Sequence, residues 1–220
     1  MSRRASSRGV VRALAWVGGA AVVMLLVWLI DAPIARAMVR HPFGRFALST
    51  LLRLAGYLPL WALVSLAITA VDVPNGWRAI WSRGGVLLLT VTIASVLAEI
   101  VKALVRRDRP STALALSLFR PWRDSPFSSG GSGWPSSHAA VAFAAVFVLC
   151  RLYPRATPIW LLILIGCALS RFTYNLHFLT DVAGSTMVAY IAARGCAALA
   201  PSPETRPGMR RYREDDLELR

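Results

Sequence analysis

Six stretches of apolar residues leave this chain little choice of solvent. They run over 10–30, 46–71, 85–105, 138–153, 157–170 and 181–200, and a helix needs about 20 mostly apolar residues to cross the hydrocarbon of a bilayer. The first stretch is uninterrupted. Arg53, Gly56 and Pro59 break the second and confine its apolar heart to 54–71. The third carries Glu99 and Lys102 in its last two turns, and the fourth and fifth are short. Hydrophobic residues make up 56% of the chain and charged residues 16%, with a mean hydropathy of +0.53. A soluble domain has about 45–50% apolar and about 25% charged residues, so a disordered chain is excluded and a water-soluble globule disfavoured. The sequence predicts an all-α bundle of six transmembrane helices over residues 1–200, followed by a polar cytoplasmic tail over 201–220 with a helical turn at 212–219.

The net charge of +14 comes from 24 Arg and a single Lys, Lys102, against 11 acidic residues. The basic residues lie between apolar runs, which points to anionic membrane lipids as partners rather than nucleic acid. With the amino terminus inside, fourteen Arg fall on the cytoplasmic side and nine opposite. The positive-inside rule therefore puts both termini in the cytoplasm, and the short, compact chain fits a bacterial inner membrane. Arg3, Arg4 and Arg8 precede an apolar run, and Ala35-Arg36-Ala37 resembles a cleavage site. The run exceeds a signal core, however, and Asp31 and Pro33 intervene, so the first helix is expected to stay. Residues 31–45 mix Ile34, Met38 and Val39 with Arg36 and Arg40, the composition of an interfacial amphipathic helix. Cys150, Cys167 and Cys196 sit in apolar runs without metal-ligand spacing and read as packing residues. Nothing in the sequence signals an oligomeric state.

Three polar clusters interrupt this pattern, and the six-helix topology brings them to one membrane face. Lys102 is followed, after six residues, by Arg109-Pro110 at the exit of the third run. Pro135-Ser136-Ser137-His138 opens the fourth. Ser170-Arg171, His177 and Asp181 bridge the fifth and sixth. Ionisable groups at membrane depth are expensive and usually functional. Lys102, Arg109 and Arg171 can neutralise a phosphate, the Arg forks matching its geometry. Ser136 and the amides of Ser137 and His138 lie at a helix start, an anion site. His177 and Asp181, four apart, share one face of a helix entrance. The carboxylate can keep one imidazole nitrogen protonated and leave the other free to attack phosphorus. His138 is then the acid for the departing oxygen and later the base for water.

These clusters resemble the signature of the type 2 phosphatidic acid phosphatase (PAP2) superfamily: Lys, six residues, Arg-Pro; Pro-Ser-Gly-His; Ser-Arg, five residues, His, three residues, Asp. Ten specified positions match, in the family's order, and Ser137 replaces the usual Gly. The resemblance covers 102–181 directly and implies a helical core of the PAP2/chloroperoxidase type. It also implies catalytic His177, His138 and Asp181, phosphate-binding Lys102, Arg109, Ser136, Ser137 and Arg171, a phospho-His177 intermediate and no metal or other cofactor. The activity implied is metal-independent hydrolysis of a lipid phosphate or pyrophosphate at the exoplasmic, or periplasmic, surface. Undecaprenyl pyrophosphate, phosphatidylglycerophosphate, phosphatidate and lipid A phosphates are all open as substrates. A phosphotransferase that hands the phosphate to a second lipid uses the same motif. A non-catalytic lipid-binding or transport protein is the remoter rival, and the presence of His177 and Asp181 speaks against it.

Outside the motifs, Glu99 is expected to pair with Lys102, one turn away, and His41 to be interfacial. Arg106, Arg107, Asp108, Arg120 and Arg123 read as a solvated basic rim that attracts anionic substrate. Trp16, Trp28, Trp77, Trp81, Trp122, Trp134 and Trp160 lie mostly near run ends, as interface anchors do. The loop 111–134 ends in a Ser/Gly-rich stretch, either a hinge over the site or slack between helices.

Overall fold

The structure, a computed structural model, describes residues 2–40, 47–72, 81–110, 119–124, 128–173 and 176–199. The tail, His41, Trp77 and residues 111–118 and 125–127 lie outside them. Seven α-helices form among the described residues: α1 (Ser2–Arg40), α2 (Ala47–Leu54), α3 (Leu58–Asp72), α4 (Arg83–Val105), α5 (Ser137–Leu152), α6 (Thr157–Thr173) and α7 (Leu179–Leu199). A 3₁₀ turn, Pro154–Ala156, joins α5 to α6. Strands are absent among these residues; two isolated bridges pair Arg107 with Phe119 and Asp108 with Ser132.

α5 is the axis of the bundle, packed by α4, α6 and α7. Its residues from Ala139 to Val146 are all buried. Five of those eight are Ala, and such small side chains let neighbouring helices approach closely. α3 lies on α4, α2 on α6, and α1 on α7. Gly84 permits the α3–α4 crossing: a Cβ there would sit 2.1 Å from the Ser65 carbonyl oxygen. At that end Ser82 caps α4 by accepting from the Gly85 amide at 3.0 Å, and Asp72 accepts from Arg83 Nε at 3.0 Å.

Two expectations change. Among the described residues, four helical stretches are long and apolar enough to cross a membrane: Leu14–Met38, Arg83–Val105, Pro154–Phe172 and Leu179–Leu199. Leu58–Asp72 and Ser137–Leu152 are shorter, the former because Gly56 and Pro59 split the second apolar run into α2 and α3. α5 is wrapped by protein, so its length is not tied to the thickness of lipid. The outer faces of α1, α6 and α7 carry exposed Leu, Ile and Val, a surface that only lipid solvates well. The second change is at α1, which continues through Pro33 to Arg40; no separate amphipathic helix starts at Asp31. Proline costs one backbone hydrogen bond, offset by the burial of Asp31 and by Ala35 packing on Phe178.

Candidate active site

α4 ends where Arg106 takes a left-handed conformation (φ 57°) and its amide bonds the Lys102 carbonyl at 3.0 Å. That turn folds the next residues back under the bundle instead of into solvent. Arg106 is 1% exposed; its guanidinium donates to the carbonyls of Arg120 (3.3 Å), Pro121 (3.1 Å) and Asp124, and lies over the Trp122 ring. Asp108 pairs with Arg120 at 2.9 Å, and Arg120 also donates to Ser132 at 2.6 Å. The expected solvated rim is therefore wrong for Arg106 and Arg120, which pin the 119–124 and 128–133 segments, and for Arg107, which is 4% exposed. Arg123 alone of the four arginines stands in solvent, its side chain 86% exposed.

Arg107 turns inward. Its Nη1 donates to Asp181 Oδ1 at 2.8 Å and its Nη2 to Asp31 Oδ2 at 2.9 Å. The Thr180 amide donates to Asp31 Oδ1 at 2.9 Å, and the Thr180 hydroxyl joins Asp31 to Arg107. Asp181 Oδ2 accepts from the Phe178 amide at 2.8 Å and lies 3.4 Å from His177 Nδ1. His177 precedes the first turn of α7 rather than riding on it, so the pairing comes from the chain bending back onto its own helix start.

The tautomer of His177 follows from its neighbours. Nδ1 lies 3.0 Å from the Gly133 carbonyl oxygen and 3.4 Å from Asp181. Both partners only accept, so Nδ1 carries the proton and Nε2 keeps its lone pair. Gly133 is required here because a Cβ would meet Asp181 Oδ2 at 2.9 Å. Burial pushes the His177 pKa below its ordinary value; Asp181 opposes the shift, and the charges of Arg171 and Arg109 reinforce it.

The helix start of α5 is tied to the same centre. Ser136 is fully buried and caps α5, its hydroxyl accepting from the Ala139 amide at 3.5 Å. Its amide bonds the Asp181 carbonyl at 3.1 Å and its carbonyl accepts from Ser185 at 2.8 Å. The Ser136 hydroxyl keeps its own O–H to donate. The amides of Ser137 and His138 have no carbonyl to bond within a helix that begins there. Lys102, 5% exposed, donates to Glu99 at 2.8 Å and bonds the Ser137 hydroxyl, which also bonds Glu99. Glu99 is the ion-pair partner expected. The His138 ring meets Tyr57 edge-on, centroids 4.9 Å apart.

Arg171 lies in the last turn of α6 at 3% exposure, and its Nε and Nη1 have no hydrogen-bond partner among the described residues. The charges around it are positive: Arg109 and Arg53 both act on it, and it acts in turn on His138 and His177. Arg109 itself is exposed. An unpaired buried guanidinium costs several kcal/mol unless an anion completes it.

The PAP2 superfamily matches the chain over residues 83–202. The chain belongs to that superfamily. No curated protein matches it in sequence. Among solved structures it is similar to one described as the first transmembrane PAP2 type phosphatidylglycerolphosphate phosphatase from Bacillus subtilis. The likeness covers 82% of this chain and 93% of that one, at 17% identity and a TM-score of 0.58, and establishes a shared PAP2 fold. With its four crossing-length helices, this PAP2 protein is an integral membrane protein.

Sequence reasoning missed four contributors. Arg107 sits in the unspecified spacer between Lys102 and Arg109, and Gly133 in a loop whose other glycines meet little. Thr180 is an ordinary residue at a helix start. Asp31 carried a signal, a carboxylate at the end of an apolar run, but its partners lie 76 and 149 residues away.

Proposed function

We propose that this PAP2 protein hydrolyses a phosphate or pyrophosphate carried by a membrane lipid, through phospho-His177. The unpartnered Nε and Nη1 of Arg171, whose charge acts on both His138 and His177, carry this reading. A dianionic phosphate supplies the acceptors that Arg171 lacks. Arg109, Lys102 and the first amides of α5 complete its cradle, with Ser136 fixing those amides and Ser137 steadying Lys102. Nε2 of His177 attacks phosphorus, the bond from phosphorus to the lipid oxygen breaks, and His138 gives that oxygen its proton. His138 then takes a proton from water, which attacks phospho-His177 and releases inorganic phosphate. Asp181 holds the ring and balances the charge it gains.

Six segments cross the membrane in this reading, α3 and α5 as the short ones, with both termini cytoplasmic. The site then opens among the headgroups of the exoplasmic leaflet of a bacterial inner membrane. Phosphatidylglycerophosphate is one candidate substrate, because the similar Bacillus subtilis protein is described as its phosphatase.

Detergent-purified protein, with chelator present, is expected to release phosphate from at least one member of a panel of lipid phosphates. His177→Ala should lower release by about 1,000-fold or more while lipid binding persists. Release unaffected by His177→Ala overturns the covalent mechanism. Transfer of phosphate to a second lipid in place of release identifies the phosphotransferase.

A further inference from the structure

We infer that Asp31, on α1, is a positioning residue for the His177–Asp181 pair and acts on it through Arg107. The inference rests on the proposed function and extends the site to a helix outside the family-matched segment 83–202. Asp31 lies within the crossing-length stretch Leu14–Met38 and is 4% exposed. A carboxylate buried at that depth needs partners, and each one it has belongs to the site. Arg107 Nη2 reaches it at 2.9 Å while Nη1 of the same guanidinium holds Asp181 at 2.8 Å. Thr180, which donates to Asp31 through both its amide and its hydroxyl, is the residue before Asp181. Asp31 and His177 also line one small pocket with Ala35, Phe172 and Phe178.

The charges give this arrangement a function beyond packing. Asp31, Arg107 and Asp181 together carry one net negative charge, and that charge faces His177. The imidazole becomes cationic as Nε2 bonds phosphorus, so the net charge is needed most at that step. Without Asp31, Arg107 cancels Asp181 and the sum beside the ring is zero. The other charged or titratable groups facing His177 are Arg171 from α6, Arg109 from the arm after α4, and His138 from α5. None of the three supplies negative charge.

Asp31→Asn keeps the size and most of the hydrogen bonding but removes the charge. It is expected to lower kcat by about ten-fold or more, with the Ki of inorganic phosphate within about two-fold of the parent. The His177 titration, read by NMR on protein labelled with carbon-13 histidine, should move to lower pH. The double variant Asp31→Asn/Arg107→Gln restores one net negative charge at Asp181. It should exceed Asp31→Asn in turnover and return the titration toward that of the parent. A purely structural Asp31 predicts losses that add up, with no movement of the titration. Overturning results are kcat within about three-fold of the parent, an unmoved titration, or a double variant no better than the single.

If Asp31→Asn alone does not fold, the double variant, which removes Asp31 together with its cation and leaves Asp181 the Phe178 amide and His177, carries the test. Turnover near the parent's then supports the inference, and turnover as low as that of Asp181→Asn overturns it. A parent protein that releases no phosphate contradicts the proposed function, and the His177 titration still decides the role of Asp31.

Discussion

Arg107 and Arg171 are equally hidden, at 4% and 3% exposed, yet their surroundings are opposite. Arg107 is held between two buried carboxylates. Arg171 has two buried nitrogens with no partner among the described residues, and other arginines for company. A buried cation whose counter-charge is built into the fold stabilises that fold. One whose counter-charge is missing waits for a ligand that brings it. The two halves meet at His177, whose Nδ1 is held by the Gly133 carbonyl and Asp181 while the charges of Arg171 and Arg109 act on its ring.

Breaking each half in the same way gives the largest contrast. Arg107→Met leaves Asp31 and Asp181 buried without their cation and should destabilise the protein by about 3–5 kcal/mol, read as a fall in thermal or denaturant stability. Arg171→Met removes a cation that nothing on the protein needs. Its stability should stay within about 1 kcal/mol of the parent or rise, while kcat/KM falls by about 100-fold. Equal destabilisation by the two substitutions would erase the distinction.

Ligand stabilisation sharpens the same point. Inorganic phosphate at about 100 times its Kd should stabilise the parent by about 2.7 kcal/mol, and Arg171→Met should lose most of that gain. A full gain in the variant places the anion elsewhere.

The smallest effect is on pH. In the proposed mechanism neutral His177 is the nucleophile, and burial, Arg171 and Arg109 outweigh Asp181 in lowering its pKa. Protonation therefore silences it only at a pH below the ordinary 6.5, so the acid limb of kcat/KM should lie below that value. Removing the Arg171 charge should move the limb upward, toward 6.5. A limb above 6.5 in the parent contradicts the sign.

The sequence exposed one half of this site and concealed the other. Lys102, Arg109, Ser136, His138, Arg171, His177 and Asp181 were legible because their spacings form a recognisable pattern at the ends of apolar runs. Arg107 was not, because its direction depends on the left-handed turn at Arg106, which no spacing announces. Neighbouring charges that looked like one solvated rim were sorted by that turn into pins, a counter-ion and a single exposed Arg. Asp31 was passed over for a related reason: Ile34, Met38 and Val39 with Arg36 and Arg40 looked like an interfacial helix, whereas α1 runs on through them and Asp31 bonds residues far along the chain. The helical class was plain from the apolar runs. The short α3 and α5 were less so, since burial within protein frees a helix from the length that lipid demands.

The measurement that bears most directly on the account is acid-free trapping of the enzyme with substrate labelled at phosphorus, followed by mapping of the label. The account predicts phosphate bonded to His177 in the parent and none in His177→Ala. The trapped level should be strongly reduced in Arg171→Met, which keeps the nucleophile but loses the anion's partner. Phosphate release without label on His177, or label undiminished by Arg171→Met, would contradict it.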